Sequence, residues 1–223
     1  MPKECKGHAV VIAVDPGFGG TGICMMVGGK LYKFTNVKST ASGDERYTDI
    51  ACKCARHVLS WISDLRAAAR NADETYVSYV DIVIESPHAM SGKNGHAALM
   101  RGDVFKVAKL AGAIGVLISV YTQAQLEDNR DITDESCSLY SYTVSVRLHY
   151  PEVREWKGQT SKETTMRRVL RDVAYAHDYI KDKNYKLSTK YPDHVFDAVG
   201  IGMWFYNLNH TGTHNENKEK SVY

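Results

Sequence analysis

The apolar positions of the chain change period several times, and each change marks an element. Ala9–Val14 and Gly22–Val27 are short apolar strands joined by a glycine-rich turn, and Gly28-Gly29 signals a hairpin into "KLYKFTNV" (30–37). These three strands form a β-meander. From Tyr47 to Asn71 the period becomes helical, with Ile50, Ala51, Cys54, Val58, Trp61, Ile62 and Leu65 near one face. "YVSYVDIVIE" (76–85) is a strand again. Gly95 to Gln125 reads as a long helix carrying Leu99, Val104, Val107, Leu110, Ile114 and Leu117, and its Ala111, Gly112, Ala113 and Gly115 permit close packing. "TVSVRLHY" (143–150) returns to alternation and stops at Pro151. A helix over 160–181 has Ser161 as candidate cap, and "DHVFDAVGIGMWFYN" (193–207) is a last helix. The order βββ-α-β-α-β-α-α predicts an α/β fold. Its five-stranded mixed sheet combines the antiparallel meander with two further strands, flanked by helices.

The remaining segments are polar. Residues 126–142, "LEDNRDITDESCSLYSY", read as an acidic insertion or loop, and the tail 209–223 lacks core formers and is expected to be disordered. Residues 1–208 then form a single domain, and 223 residues suffice to bury a substantial core. The longest apolar stretch, Ala111 to Val120, covers only about half a bilayer. No signal peptide or membrane anchor is read, which leads us to expect a cytoplasmic protein without a membrane partner. The five cysteines, Cys5, Cys24, Cys52, Cys54 and Cys137, show no repeated spacing and read as thiols of a reducing compartment rather than as a zinc site. Net charge is only +2, but Asp and Glu are sparse from Ser86 to Ala124, and Lys and Arg cluster between Arg147 and Lys190.

Four polar residues stand where the apolar pattern makes them conspicuous. Asp15 ends the first strand just before Pro16-Gly17, and Glu85 ends the strand that follows the first helix. His194 and Asp197, three apart on the last helix, share a face. A right-handed crossover makes the two acid-ending strands neighbours. Carboxylates at adjacent strand ends repel unless a cation lies between them, and oxygen donors with an imidazole suit Mg²⁺, with Mn²⁺ able to substitute. Two such ions about 4 Å apart serve the in-line displacement of a phosphodiester. The glycines beside Asp15 are read as clearance for a polyanion backbone, with N–H groups available to phosphate.

These stretches resemble the RuvC family of Holliday-junction resolvases, within the ribonuclease H-like superfamily. "IAVDPGFGGTGI" resembles its first strand and Asp-Pro-Gly turn, and "DIVIESPHAM" its second acidic strand. "ALMRGDVFKVAKLAGAIGVLISV" resembles the helix that follows, and "HVFDAVGIGMW" the closing helix, where members carry Asp or His three residues before the final Asp. The resemblance covers most of 9–27, 47–123 and 144–207.

It implies a ribonuclease H-like fold and a metal-dependent endonuclease that resolves Holliday junctions or other branched DNA by paired phosphodiester hydrolysis. Asp15, Glu85, His194 and Asp197 become the metal-binding catalytic set for two Mg²⁺ ions, with no organic cofactor. Lys157 and Lys162 become candidates for contact with the scissile phosphate, and Lys162 joins the catalytic set. The resemblance further implies a homodimer, since two symmetric nicks need two sites; we expect its face on the helix 95–125. Where members often place an aromatic wedge, three residues after the second acid, this chain has His88. His88, Lys93 and Arg101 are therefore candidates for DNA contact. The compact size and the insertion fit a phage or viral member, acting in the host cytoplasm. The same fold also serves ribonuclease H-type hybrid nucleases and transposase or packaging nucleases. A non-catalytic junction-binding module and an actin-like ATPase fit less well, since the acid set is intact and no second glycine-rich hairpin occurs.

Overall fold

The meander forms as its alternation predicts. β1 (Val10–Asp15) pairs antiparallel with β2 (Thr21–Val27), which pairs antiparallel with β3 (Lys30–Val37). The computed structural model describes residues 9–43, 45–71, 79–87, 102–128, 145–157, 161–176 and 191–210. After α1 (Glu45–Asn71) comes β4 (Tyr79–Ile84), parallel to β1, and then α2 (Asp103–Asp128). β5 (Ser145–His149) lies parallel to β4. It is followed by a single helical turn, α3 (Val153–Trp156), then α4 (Lys162–Ala176) and α5 (Asp193–His210). The sheet order is β3-β2-β1-β4-β5, with only β2 running against the rest. That is the ribonuclease H-like arrangement.

Period-two alternation sorts the apolar residues of β1 and β4 between two cores. Val10, Ile12 and Val14 of β1 face one way with Val80, Ile82 and Ile84 of β4. They are covered by Ile50, Val58 and Ile62 of α1 and by Leu110, Ile114 and Ile118 of α2. Val11 and Ala13 of β1 and Val83 of β4 face the other way, under Val195, Phe196, Val199 and Phe205 of α5. By the same parity Asp15 and Glu85 belong to the α5 side, as does Asp81.

Several expected boundaries move. The uninterrupted helix 95–125 does not form, because the chain turns at Gly102 (φ +71°), a left-handed conformation that favours glycine. α2 starts immediately afterwards, with the Lys106 N–H bonded to the Gly102 carbonyl at 3.0 Å. At its other end it continues to Asp128, so residues 126–128 of the expected loop are helical; 129–142 lie outside the described residues. α5 runs on to His210 and takes in the first two residues of the expected tail, of which 211–223 lie outside the description. Ser161 does cap α4, its Oγ accepting the Thr164 N–H at 3.3 Å.

α2 is long and apolar enough over Asp103–Ala124 to cross a membrane, by length and composition alone. Here its apolar content divides between two faces. Leu110, Ala111, Ile114 and Ile118 are in the core, whereas Phe105, Val116, Val120 and Tyr121 are exposed. Cys24, Cys52 and Cys54 are free thiols, and burial pushes Cys24 and Cys54 up to about 12. Cys5 and Cys137 lie outside the described residues.

Candidate active site

Asp15 is the last residue of β1 and the register partner of Gly22 on β2. Glu85 stands one residue beyond β4, where its N–H still bonds to the Val14 carbonyl at 3.0 Å, so the two acids occupy adjacent strand ends as expected. α5 crosses the same face and presents His194 from its first turn. His194 Nδ1 lies 2.6 Å from Asp15 Oδ2, across 179 residues of sequence. An ionised carboxylate only accepts, so Nδ1 is the donor of this pair.

One turn further along α5, Asp197 Oδ1 accepts from Lys157 Nζ at 2.9 Å. Glu85 Oε1 accepts from the Trp156 indole N–H at 2.7 Å. Burial, and after it the charge of Asp15, push Glu85 up to about 9, with Asp197 adding in the same direction. The Trp156 bond opposes the shift without cancelling it. Three carboxylates thus share one end of the sheet.

The glycines serve a different purpose from the one expected. A Cβ on Gly22 would collide with the His194 carbonyl, and one on Gly17 would come within 2.5 Å of His194 Cε1. They make room for the start of α5, which brings His194 onto Asp15. Clearance for a DNA backbone is not what these two positions provide; of Gly17, Gly19, Gly20 and Gly22, only Gly19 has open space around its Cβ direction. Thr21 braces the loop from inside. Its hydroxyl accepts from the Gly17 N–H at 3.3 Å and donates to the Gly17 carbonyl at 3.2 Å. Phe18 packs edge-on against Tyr47 of α1, with ring centroids 4.5 Å apart.

The donor set, three carboxylates and an imidazole, suits Mg²⁺ or Mn²⁺ in chemical type. Burial first, and after it the neighbouring Asp15 and Asp197, drive Glu85 upward, a penalty on the ionised form that a divalent cation would relieve. Among the described residues no three His, Cys, Asp or Glu side chains already stand in metal-binding geometry. Instead the donors are bonded to protein partners: Asp15 with His194 and with Glu85, Glu85 also with Trp156, and Asp197 with Lys157.

Of the candidate phosphate contacts, Lys157 is brought into the set through Asp197. Lys162 opens α4, with its side chain outside the description, and His88, Lys93 and Arg101 lie outside the described residues altogether. Trp156 escaped the sequence reading, as a lone aromatic in a polar stretch has no partner visible in the string. Beside it, Trp156, Lys157, Arg168, Asp172, Trp204 and others line a cavity of about 180 Å³ between α4 and α5.

A second polar cluster lies toward the other end of the same sheet face. Asp81, fully buried, accepts from Arg147 Nε and Nη2 at 2.7 Å each and stands 2.8 Å from His149 Nε2. His210, ending α5, lies 3.4 Å from the same carboxylate. α5 therefore carries a histidine near each end, each directed at an acid of the sheet.

Fold and site together define a ribonuclease H-like α/β domain with an acidic, histidine-containing site at the ends of two parallel strands. No family sequence model and no curated protein sequence matches the chain. Among solved structures it is similar to T. thermophilus RuvC in complex with Holliday junction substrate, at 16% identity and a TM-score of 0.45, over 92% of this chain and 98% of that one. It is similar to another Thermus thermophilus RuvC structure at 17% identity and a TM-score of 0.44, over 89% and 95% of the two chains. A likeness to the yeast mitochondrial Holliday junction resolvase Ydc2, at 14% identity and a TM-score of 0.38, covers 99% of this chain and 89% of that one.

Proposed function

We propose that this chain is a divalent-metal-dependent endonuclease that cuts four-way or branched DNA by phosphodiester hydrolysis, acting as a homodimer. The observation that carries the reading is the gathering of Asp15, Glu85, His194 and Asp197 from β1, β4 and α5 at one end of the sheet. These four would hold the ions, Mg²⁺ with Mn²⁺ able to substitute. When bound, two such ions supply an activated water and neutralise charge on the leaving oxygen of the phosphodiester.

The chain's own residues do the positioning. β1 and the residue that follows β4 hold two carboxyl groups side by side, joined by a hydrogen bond. Asp15 holds His194 through Nδ1, and an imidazole oriented by a carboxylate in this way would present its other nitrogen to a cation. Lys157 offers an ammonium beside Asp197 that can meet a phosphate oxygen. Lys162, His88, Lys93 and Arg101 are proposed as further DNA contacts, which would make affinity fall with salt.

The proposed dimer uses the outer face of α2. Phe105, Val116, Val120 and Tyr121 are all more than half exposed, and Gly112 on the same helix has open space where a side chain would project. Positions 105, 112, 116 and 120 fall at helical spacing into one stripe, and a large exposed apolar patch marks an association surface.

The test is cleavage of a synthetic four-way junction, a linear duplex and an RNA–DNA hybrid, each with Mg²⁺ and with EDTA. Paired nicks in the junction alone, dependent on Mg²⁺, are expected. Cleavage of the hybrid with the junction left intact overturns the junction reading, and cleavage undiminished by EDTA overturns the metal.

A further inference from the structure

Glu85 has a positioning problem that Asp15 and His194 do not share. Its backbone is pinned by the bond to Val14, but the side chain lies beyond the ladder, and its hydrogen bond with Asp15 joins two acids that would both be ionised with a cation between them. The Trp156 indole N–H meets one of its oxygens at 2.7 Å. An indole offers a single donor and no acceptor, so it can occupy Oε1 only and leaves Oε2 for Asp15 or a cation.

Trp156 is itself held from three directions. Its ring abuts the backbone of α5 at Gly200, where a Cβ would come within 2.8 Å of Cζ3. The segment leading to it hangs from the end of β4, since the Ser86 N–H bonds to the Pro151 carbonyl at 2.8 Å and Ser86 forms a parallel bridge with Glu152. The turn of α3 is closed by the Glu155 N–H on the Glu152 carbonyl at 2.9 Å and by the Lys157 N–H on the Val153 carbonyl at 3.0 Å. The next residue, Lys157, then reaches Asp197. One dipeptide on a single turn of helix thus grips a carboxylate from the sheet and one from α5.

We propose that Trp156 is a positioning residue that fixes the rotamer of Glu85 for cation binding; this rests on the reading of Asp15, Glu85, His194 and Asp197 as a divalent-metal site. The indole touches neither the ions nor the substrate and acts through one hydrogen bond. Partners of this kind typically change metal affinity by about 10–100-fold when removed.

Mn²⁺ binding to the full chain, followed by the electron paramagnetic resonance of free Mn²⁺, separates the possibilities. Wild type is compared with Glu85→Gln, Trp156→Phe and Trp156→benzothienylalanine, the last keeping the ring's volume without the N–H. We expect Mn²⁺ affinity to fall about 10–100-fold in both Trp156 variants, with the thermal midpoint of the benzothienylalanine protein unchanged. The Mg²⁺ concentration giving half-maximal junction cleavage should rise in parallel, while the rate at saturating Mg²⁺ falls much less. If Trp156→Phe does not fold, the benzothienylalanine protein decides alone. Wild-type Mn²⁺ affinity in that protein overturns the positioning role and leaves the metal site standing. A wild type that binds no Mn²⁺ overturns both.

Discussion

Asp81 on β4 and Arg147 on β5 are register partners in the parallel ladder, and the arginine closes on the buried carboxylate through two hydrogen bonds of 2.7 Å. The guanidinium also lies over the Tyr79 ring, 3.7 Å from its centroid. Burial by itself would raise the Asp81 carboxyl, but Arg147 and His149 more than offset it and hold it below its ordinary 3.8. A carboxyl depressed in the folded state stabilises at pH above its unfolded value, and that contribution is lost as the pH falls through the folded value. Wild type should therefore lose stability steeply below about pH 4, and Asp81→Asn should show a shallower acid limb in urea titrations at stepped pH. At neutral pH, Arg147→Ala removes a half-exposed partner and leaves the buried Asp81 carboxylate to His149 and His210, which should cost about 1–3 kcal/mol. An Arg147→Ala protein with the wild-type urea midpoint would show that the bridge contributes little.

Two nearby glycines, Gly19 in the loop after β1 and Gly22 on β2, should behave oppositely. Gly22→Ala drives a methyl into the His194 carbonyl, backbone against backbone, so the start of α5 must shift. Overpacking of this kind costs about 1–3 kcal/mol. It also displaces His194 from Asp15, so metal affinity should fall along with stability. Gly19→Ala meets nothing within 4 Å and should stay within about 0.5 kcal/mol of wild type. Urea denaturation of the pair checks both values, and equal midpoints would remove the packing role assigned to Gly22.

The meander, the two acid-ending strands as parallel neighbours and the histidine helix were legible because each is a local pattern: alternation, an acid at a strand end, a spacing of three. Three features were not legible. The glycines announced missing side chains, but the string cannot say what fills the space, and it turned out to be the first turn of a helix more than 170 residues later. Asp81 lies inside "YVSYVDIVIE" with an apolar neighbour on either side, a placement that requires a buried partner. "VRLHY" then offers Arg147 and His149 two apart, on one face of a strand. Only the β4–β5 register joins these two signals across 66 residues. Trp156 carries no pattern at all, because its role depends on where one turn of helix hangs from the end of β4.

Association should be sensitive to α2 alone. Val116 is 61% exposed at the centre of the stripe that includes Phe105, Gly112 and Val120, and it takes no part in the core. Val116→Glu leaves the fold intact but places a charge in the proposed interface. Sedimentation velocity across a concentration series should show dimer dissociation at least about thirtyfold higher, equivalent to about 2 kcal/mol, with an unchanged thermal midpoint for the monomer. A wild type that remains monomeric at all concentrations would refute the interface.

Asp15→Asn should separate binding from cutting. The amide has nearly the volume of the carboxylate, so β1, the bracing Thr21 and the start of α5 keep their places. What changes is charge. One of three crowded carboxylates is neutralised, and His194 Nδ1 loses its anionic acceptor. Cation binding should weaken, and junction cleavage in Mg²⁺ should fall by at least about 10²–10³-fold, the scale of losing one group that stabilises transition-state charge. DNA affinity, set by lysine and arginine contacts to phosphate, should hold or rise slightly as a negative charge leaves the surface the DNA meets. Single-turnover cleavage beside mobility shifts in Ca²⁺ measures both on one preparation. A variant that binds normally and cuts normally would exclude Asp15 from the chemistry, and the four-residue site with it.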